Sequence, residues 1–347
     1  MPGTGVAIAQ SLGFDQHETG WAKDLEALGE PPYEVTLPAP PEAMEILERL
    51  GVPELDAAEV VSTLPWSTSS PEWWWLLERS TLALTQAMDN PDISHFNVPS
   101  WVGPDRAYPL QRRCFMAHVF LAVMPHTRAW HRARGIADDI SWASLADLGR
   151  HMEIHRRMYG STGVDAAWWL TMSLRAEAFV LGRLQFNWFH LGVGPDVPWW
   201  YPPAETEARG EGFRMGDVCV GVHIPESGPI TPAACDESLA MAKAFFAQHL
   251  RLTDQTRRLG VCWSWLLDDQ LAQWLPEQSN IVQFQRRFEL VPGALDDDEA
   301  ILEFVFRVPD PLDHLDVLPQ RTTLERAVVA HLRAGGHWRS RSGWVDL

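Results

Sequence analysis

The chain has 347 residues, of which 46% are hydrophobic and 21% are charged, so it can form two domains with separate cores and is too apolar for a disordered protein. Its 46 acidic residues outnumber its 28 basic residues, for a formal net charge of -18, and no basic cluster is long enough for a nucleic-acid surface. Nucleic acid is therefore excluded as a partner. An acidic surface suits a cationic small molecule such as an amine, although solubility alone also explains the charge.

The first half of the chain has the spacing of helices. Between about residues 40 and 160, apolar residues recur three and four positions apart, and each such run stops at Gly or Pro, as in EAMEILERLGVP and EWWWLLERSTLALTQAM. The sequence therefore predicts an all-helical N-terminal domain over residues 1–160. Eighteen tryptophans make the chain tryptophan-rich, and their rings serve core packing or the walls of an apolar substrate cavity.

The remainder, residues 161–347, predicts strands mixed with helices, and thus an α+β fold. WWLTMSLRAEAFVLGRLQFNWFHL begins with helical spacing and ends in residues typical of a strand. A Pro/Gly-rich connector then covers 192–216. A buried strand, a helix, and a short strand with its own helix follow. FELVPGALDDDEAILEFVFR predicts a hairpin, and LPQRTTLERAVVAHLRAGGHW predicts a final helix.

The four cysteines have no CxxC spacing, and most of them lie in apolar segments, which is typical of buried thiols in a reducing compartment. The most apolar run, Cys114 to Met124, is too short to cross a bilayer. The N-terminus lacks the cationic start of a secretory signal. We therefore expect a cytoplasmic protein without a membrane partner, of unknown oligomeric state.

A titratable side chain ends the strand from Asp217 to Pro225. Alternation places Asp217, Cys219, Gly221 and His223 on one face. His223 lies at the carboxyl end, where open sheets bind ligands. The next strand carries Cys262 and Ser264 in alternation with Trp263 and Trp265, so small side chains on both strands predict a slot for a narrow pantetheine arm.

A Gly-Pro turn and a helix start follow His223. Thr231 is a candidate N-cap ahead of Pro232, and N–H groups near Ile230 to Ala234 could bind a pyrophosphate. We assign cofactor binding to Val222, Ile224, Gly228, Ile230 and Thr231. Every helix has such an end, however, and we expect Asp236 and Glu237 to occupy this first turn.

Three strings, GDVCVGVHIPESGPITPAACDESLAMAKAFF, CWSWLLDDQLAQWLPEQSNIVQFQRRF and LGRLQFNWF, resemble actinobacterial acyltransferase domain-containing proteins. In that family, a helical N-acyltransferase N-terminal domain precedes a GNAT-like C-terminal domain. The resemblance implies a mixed sheet whose central strands splay apart to admit acyl-CoA. It also implies direct transfer of an acyl group, with acetyl from acetyl-CoA as the expected one, to an amine of a small molecule.

The chain departs from the usual GNAT pattern after His223. A basic or Gln residue followed by a Gly-x-Gly/Ala turn is missing, and only Gly228 remains of it. The acyl donor is therefore inferred from the architecture.

The resemblance gives His223 the role of general base, because imidazole titrates near neutral pH. The alternative is a core-edge histidine bonded to a carbonyl. Ser264 is the second catalytic candidate, as a source of the proton for the departing thiolate. Cys262, Trp265 and Tyr201 are expected to contact the substrate. Tyr201, Cys262 or a water could replace Ser264 as the acid.

Two other functions stay open. His151 and His155 lie one helical turn apart and could bind the metal of a hydrolase, although the residue after His151 is Met152 and not the Glu of the metalloprotease helix. The second is a non-catalytic binding protein that keeps the acyltransferase fold, since a fold alone does not prove activity.

Overall fold

The computed structural model describes residues 4–88, 90, 98–190, 216–249, 259–309 and 311–347. The chain divides into two compact units, Met1–Phe179 and Val180–Leu347. The sequence placed the division after residue 160. The difference arises because the helix Ala167–Leu174 packs through Leu170 and Leu174 into the core of the first unit. In the described ranges, no helix has both the length and the apolar content needed to span a membrane.

The first unit is helical, as the spacing predicts. Its helices are α1 (Gly5–Leu12), α2 (Gln16–Ala27), α3 (Pro40–Arg49), α4 (Glu54–Ser62), α5 (Pro71–Gln86), α6 (Leu110–Ala133), α7 (Asp138–Leu145), α8 (Asp147–Tyr159) and α9 (Ala167–Leu174). A capping box starts α2: Asp15 accepts from the Glu18 N–H, and Glu18 accepts from the Asp15 N–H. Prolines occupy the first turns of α3 and α5, where no helical N–H is needed.

Helix α6 runs through the core of this unit and buries two histidines. His118 and His131 are both fully inaccessible to solvent. The Nε2 of His118 lies 3.1 Å from the Val60 carbonyl oxygen, and the Nδ1 of His131 lies 2.8 Å from the Ser141 hydroxyl. Burial lowers the pKa of each ring to about 4, so both histidines are neutral at neutral pH.

The second unit combines a mixed sheet with helices. Its strands are β1 (Ala178–Leu181), which begins at the end of the first unit, β2 (Leu184–His190), β3 (Val218–His223), β4 (Leu259–Ser264), β5 (Glu289–Leu290), β6 (Leu295–Asp296) and β7 (Arg339–Asp346). Its helices are α10 (Pro232–His249), α11 (Leu271–Trp274), α12 (Asn280–Gln285), α13 (Asp298–Phe306) and α14 (Thr323–Arg333). Short 3-10 turns cover Trp265–Leu267 and Pro311–His314.

The sheet order is β1-β2-β3-β4-β7-β5, with β6 paired to β7. Strands β3 and β4 are parallel, and helix α10 lies between them in the chain, as a parallel connection requires. The neighbouring pairs β2/β3 and β4/β7 are antiparallel. The central parallel pair is therefore fixed on both outer sides by antiparallel neighbours.

Two elements of this unit differ from the sequence expectation. The predicted hairpin does not form, because β5 and β6 each pair with β7, and the second predicted strand is helix α13. Asp297 caps this helix by accepting from the Ala300 N–H, and Asp298 lies in its first turn, so the acidic run starts a helix instead of a turn. Strand β7 follows the final helix and was not predicted at all.

Candidate active site

Strands β3 and β4 separate at their carboxyl ends. Their paired residues are Cys219 with Leu259, Val220 with Gly260, and Gly221 with Val261. Beyond Gly221, β3 stays paired with β2 as far as His223. Beyond Val261, β4 stays paired with β7 as far as Ser264. Each strand thus keeps its outer neighbour while the pairing between them stops. We call this unpaired stretch of β3 and β4 beside His223 the gap.

His223 is held by a side chain of the neighbouring strand. Its Nε2 lies 2.7 Å from the Oδ1 of Asn187, and the ring is only partly buried. Asn187 is the register partner of Gly221, so its side chain reaches diagonally to His223. The sequence alternative was a core-edge histidine bonded to a carbonyl, and the group that contacts His223 here is the amide side chain of Asn187. Asn187 was not among the residues predicted from the sequence.

The register corrects which side chains share the face of His223. Gly221 pairs with Val261, so both residues face the same side of the sheet. His223 and Trp263 each lie two residues further along their own strands and therefore also point to that side. Cys262 and Ser264 therefore point to the opposite side. The sequence had placed both of them on the slot beside His223, and it had not assigned Trp263, which is only partly buried.

Ser264 has a local structural contact. Its Oγ accepts a hydrogen bond of 3.0 Å from the Leu266 N–H and caps the 3-10 turn that follows β4. This turn also ends the predicted alternation, since Trp265 belongs to the turn and not to the strand. Trp265 is 9% exposed and packs with Leu271 and Leu275 in an apolar core. The side chains of Ser264 and Trp265 thus stabilise the end of the strand.

Cys262 is fully buried, and burial raises the pKa of its thiol, so the thiol is protonated at neutral pH and shielded from solvent. Burial also raises the pKa of Cys219 to about 12. All four cysteines are free and buried, in agreement with the prediction of unpaired thiols.

The loop after β3 is braced by Arg183, from the turn between β1 and β2. The guanidinium donates to the Gly228 carbonyl at 2.6 and 3.1 Å and to the Pro229 carbonyl at 3.3 Å. Gly228 itself has a φ of 110°, a conformation that favours glycine. Arg183 and Gly228 thus fix the course of the loop between the sheet and helix α10.

The start of helix α10 is partly as expected, but neither Asp236 nor Glu237 lies in its first turn. Thr231 caps it, because its Oγ1 accepts from the Ala234 N–H at 3.3 Å. The Ala234 N–H therefore already has an acceptor within the protein, so it is removed from the amides predicted to bind a pyrophosphate. The side chain of Ile230 is buried at 8% exposure, and that of Val222 is also buried, so any contact of these two with a cofactor involves the backbone. Ile224 packs partly buried against the apolar core.

The two histidines of helix α8 are tied to protein groups. In His155, Nδ1 lies 2.9 Å from the Ser161 carbonyl oxygen, and Nε2 accepts from the Gly103 N–H at 3.2 Å. His151 contacts the Asp165 carboxylate through Nδ1, at 3.3 Å. His155 has no nitrogen left for a metal ion, and the described part of the chain has no group of three or more metal-binding side chains. The pair secures the loop after α8.

Tyr201 lies outside the described residues, as does the connector up to residue 215.

Comparison with known proteins identifies the two units. The N-acyltransferase N-terminal domain matches residues 41–176, and the GNAT-like C-terminal domain matches residues 178–345. The crystal structure of an acyltransferase mutant in complex with octanoyl-CoA matches with a TM-score of 0.86 and 38% sequence identity, over 99% of this chain and 100% of that chain. The chain belongs to this acyltransferase family. The predicted combination of a helical N-acyltransferase domain with a GNAT-like domain, the fold class and the enzyme class are thereby confirmed.

Two further acyltransferase structures match over the same shares of both chains. One is in complex with decanoyl-CoA and teicoplanin, and the other with CoA and 10C-teicoplanin; each has a TM-score of 0.84 and 39% identity. No curated protein matches the sequence. Within this acyltransferase, the GNAT-like unit contains the gap between β3 and β4 together with His223, so this region is its candidate active site.

Proposed function

We propose that the protein transfers a medium-chain acyl group from acyl-CoA to an amine of a glycopeptide-type small molecule, in the cytoplasm, where acyl-CoA is formed. The observation that carries this proposal is the end of pairing at Gly221 and Val261 beside a partly exposed His223. Backbone groups at a strand gap can bind a pantetheine arm as a further strand would, and the imidazole lies at the point where the thioester would arrive.

The choice of donor rests on the related acyltransferases, which bind octanoyl-CoA and decanoyl-CoA. The sequence had favoured acetyl-CoA, and the medium-chain donor replaces it in this proposal. The acceptor is drawn from the teicoplanin complexes. A net charge of -18 is consistent with attraction of a cationic amine.

In the proposed reaction, His223 takes a proton from the ammonium group of the acceptor. The free amine attacks the thioester carbonyl carbon, and a C–N bond forms. The nitrogen then loses its second proton as the C–S bond breaks and the CoA thiolate leaves. A thiolate is a tolerable leaving group, so water can carry this second proton to it. Ser264 and Cys262 lie on the other side of the sheet from His223, and we therefore assign the acid role to neither. Tyr201 stays a proposed substrate contact.

The cofactor phosphates are assigned to the loop that Arg183 braces. Gly228, Ile230 and Thr231 supply its backbone, and the start of α10 adds the partial positive charge of a helix N-terminus. Val222 and Ile224 contribute backbone groups at the end of β3.

The experiment is a turnover assay with acetyl-, octanoyl- and decanoyl-CoA and a teicoplanin-type glycopeptide that carries a free amine. Thiol release and product mass are measured, and the same glycopeptide with its amine blocked is the control. We expect amine-dependent release and a kcat/KM at least about tenfold higher for the longer donors, because each buried methylene contributes about 0.8 kcal/mol. Preference for acetyl-CoA contradicts the choice of donor. Absence of amine-dependent transfer with all three donors contradicts the function.

A further inference from the structure

We propose that Asn187 is a positioning residue for the reaction: its amide oxygen holds the Nε2–H of His223 and so makes Nδ1 the nitrogen that accepts the substrate proton. The inference rests on the proposed role of His223 as the general base. Asn187 itself does not touch the reacting atoms in this scheme, and it acts by fixing the tautomer and the orientation of the ring.

The side chains of Asn187 and His223 lie at hydrogen-bond distance. The Oδ1 of Asn187 and the Nε2 of His223 are 2.7 Å apart, within the range of a strong hydrogen bond. Both residues lie in strands of one antiparallel pair whose register runs from Gln185 opposite His223 to His190 opposite Val218. The backbone ladder thus fixes both ends of the hydrogen bond, although the two residues are far apart in the sequence.

Gly221 lies beneath the hydrogen bond between Asn187 and His223. A Cβ built on Gly221 would lie 2.0 Å from the Oδ1 of Asn187 and 2.9 Å from the Nε2 of His223. The hydrogen bond therefore passes directly over this glycine, and any larger residue would displace it. Gly221 lies in a regular strand and has no positive φ, so the space above its Cα is what requires glycine here.

The chemistry of an amide explains why asparagine suits this position. Its oxygen accepts hydrogen bonds but is not basic, so the proton stays on Nε2 and the lone pair resides on Nδ1. The neighbouring group that orients an imidazole determines which nitrogen carries the proton. A neutral amide achieves this without adding a charge beside the thioester.

The kinetic test compares Asn187→Leu, which removes the acceptor oxygen, with Asn187→Asp, which keeps one. Turnover is measured with octanoyl-CoA and the amine acceptor. For Asn187→Leu, we expect kcat to fall about 10- to 100-fold, which is the typical effect of removing a group that orients a functional histidine. The KM for octanoyl-CoA should stay within about twofold of the wild-type value. Asn187→Asp should recover most of kcat. Phe189→Leu is the matched control, because it alters the same face of the same strand without touching His223.

A second variant and a spectroscopic measurement do not depend on Asn187→Leu remaining folded. Gly221→Ala should lower kcat as Asn187→Leu does, because its methyl group displaces the amide. In the wild-type protein, nitrogen NMR of the imidazole should show the Nε2–H tautomer of His223, whether or not turnover is observed. If the wild-type protein shows this tautomer but no turnover, the proposed function is wrong, whereas the hydrogen bond between Asn187 and His223 is supported.

Any of three results overturns the inference. The first is an active wild type whose Asn187→Leu variant keeps its kcat. The second is an NMR spectrum with the proton on Nδ1, which would mean that the amide of Asn187 donates through its nitrogen. A fall in kcat that Asn187→Asp does not recover also contradicts it, since the acceptor oxygen would then not be the decisive feature.

Discussion

Gly221 and Val261 are the last residues at which the central parallel strands β3 and β4 pair. Past this point each strand is held only by its outer neighbour, β2 or β7. A sheet that stops pairing in its middle leaves backbone groups available to a ligand. The imidazole at the end of β3 lies next to these groups, which brings a binding surface and a titratable side chain to the same place.

Octanoyl-CoA should slow amide hydrogen exchange in the segments that cover residues 221–224 and 261–265. The reason is that a ligand bound in the gap pairs with the backbone and closes it to water. The measurement is exchange followed by mass spectrometry with and without the ligand. Peptides that contain the peripheral strand β6 serve as the control and should not change. Protection confined to other parts of the sheet, with β3 and β4 unaffected, contradicts binding in the gap.

Ser264→Ala should reduce stability more than activity. The Oγ of Ser264 accepts from the Leu266 N–H, and loss of such a cap costs about 1 kcal/mol of unfolding free energy. We expect kcat to remain within about threefold of wild type, because the register directs Ser264 away from His223. Urea unfolding and steady-state kinetics measure the two effects. A large fall in kcat at unchanged stability would restore Ser264 as the acid.

Arg183→Ala should weaken acyl-CoA binding and leave the chemical step unchanged. Arg183 holds the carbonyls of Gly228 and Pro229, and a lost hydrogen bond of about 1 kcal/mol corresponds to a roughly fivefold higher KM for octanoyl-CoA. Arg286→Ala is the matched control, because Arg286 forms an exposed ion pair with Glu277 instead. An effect on kcat alone would show that the loop does not act in cofactor binding.

The helical unit should lose stability in mild acid. His118 and His131 have pKa values of about 4 in the folded protein because of burial, against 6.5 for an exposed ring. The unfolded chain therefore binds protons below pH 6.5 that the folded protein does not, and stability falls as the pH drops from 6.5 towards 4. The loss approaches about 3 kcal/mol for each ring.

Urea unfolding across this pH range measures the effect. The exposed His17→Gln variant should show the same pH slope as wild type, whereas His131→Gln should show a smaller one. A stability that stays constant between pH 6.5 and 4 would contradict the assignment of both rings as neutral buried groups.

The parts of the fold that depend on local pattern could be predicted from the sequence. Helical spacing identified the first unit, and alternation placed His223 at the end of a strand next to Gly221. The acidic run before α13 was misread because Asp residues are frequent both in turns and at helix starts. There the capping contact of Asp297 decides the outcome.

The site itself depended on register, which a single sequence does not specify. Whether Cys262 or Trp263 shares the face of His223 depends on a one-residue shift between β3 and β4. Asn187 was missed for the same reason, since its contact with His223 joins strands that are distant in the sequence. The glycine at 221 was the available signal, because a glycine within a strand often marks a close approach of other atoms.

The most direct test of the account is the comparison of binding and turnover in His223→Ala. Calorimetry with octanoyl-CoA and the amine-transfer assay are run on the same preparation. The account predicts a Kd for octanoyl-CoA within about twofold of wild type and a kcat reduced by about 100-fold or more, because general-base catalysis contributes about that much. A variant that binds octanoyl-CoA normally and still transfers the acyl group at the wild-type rate would contradict it.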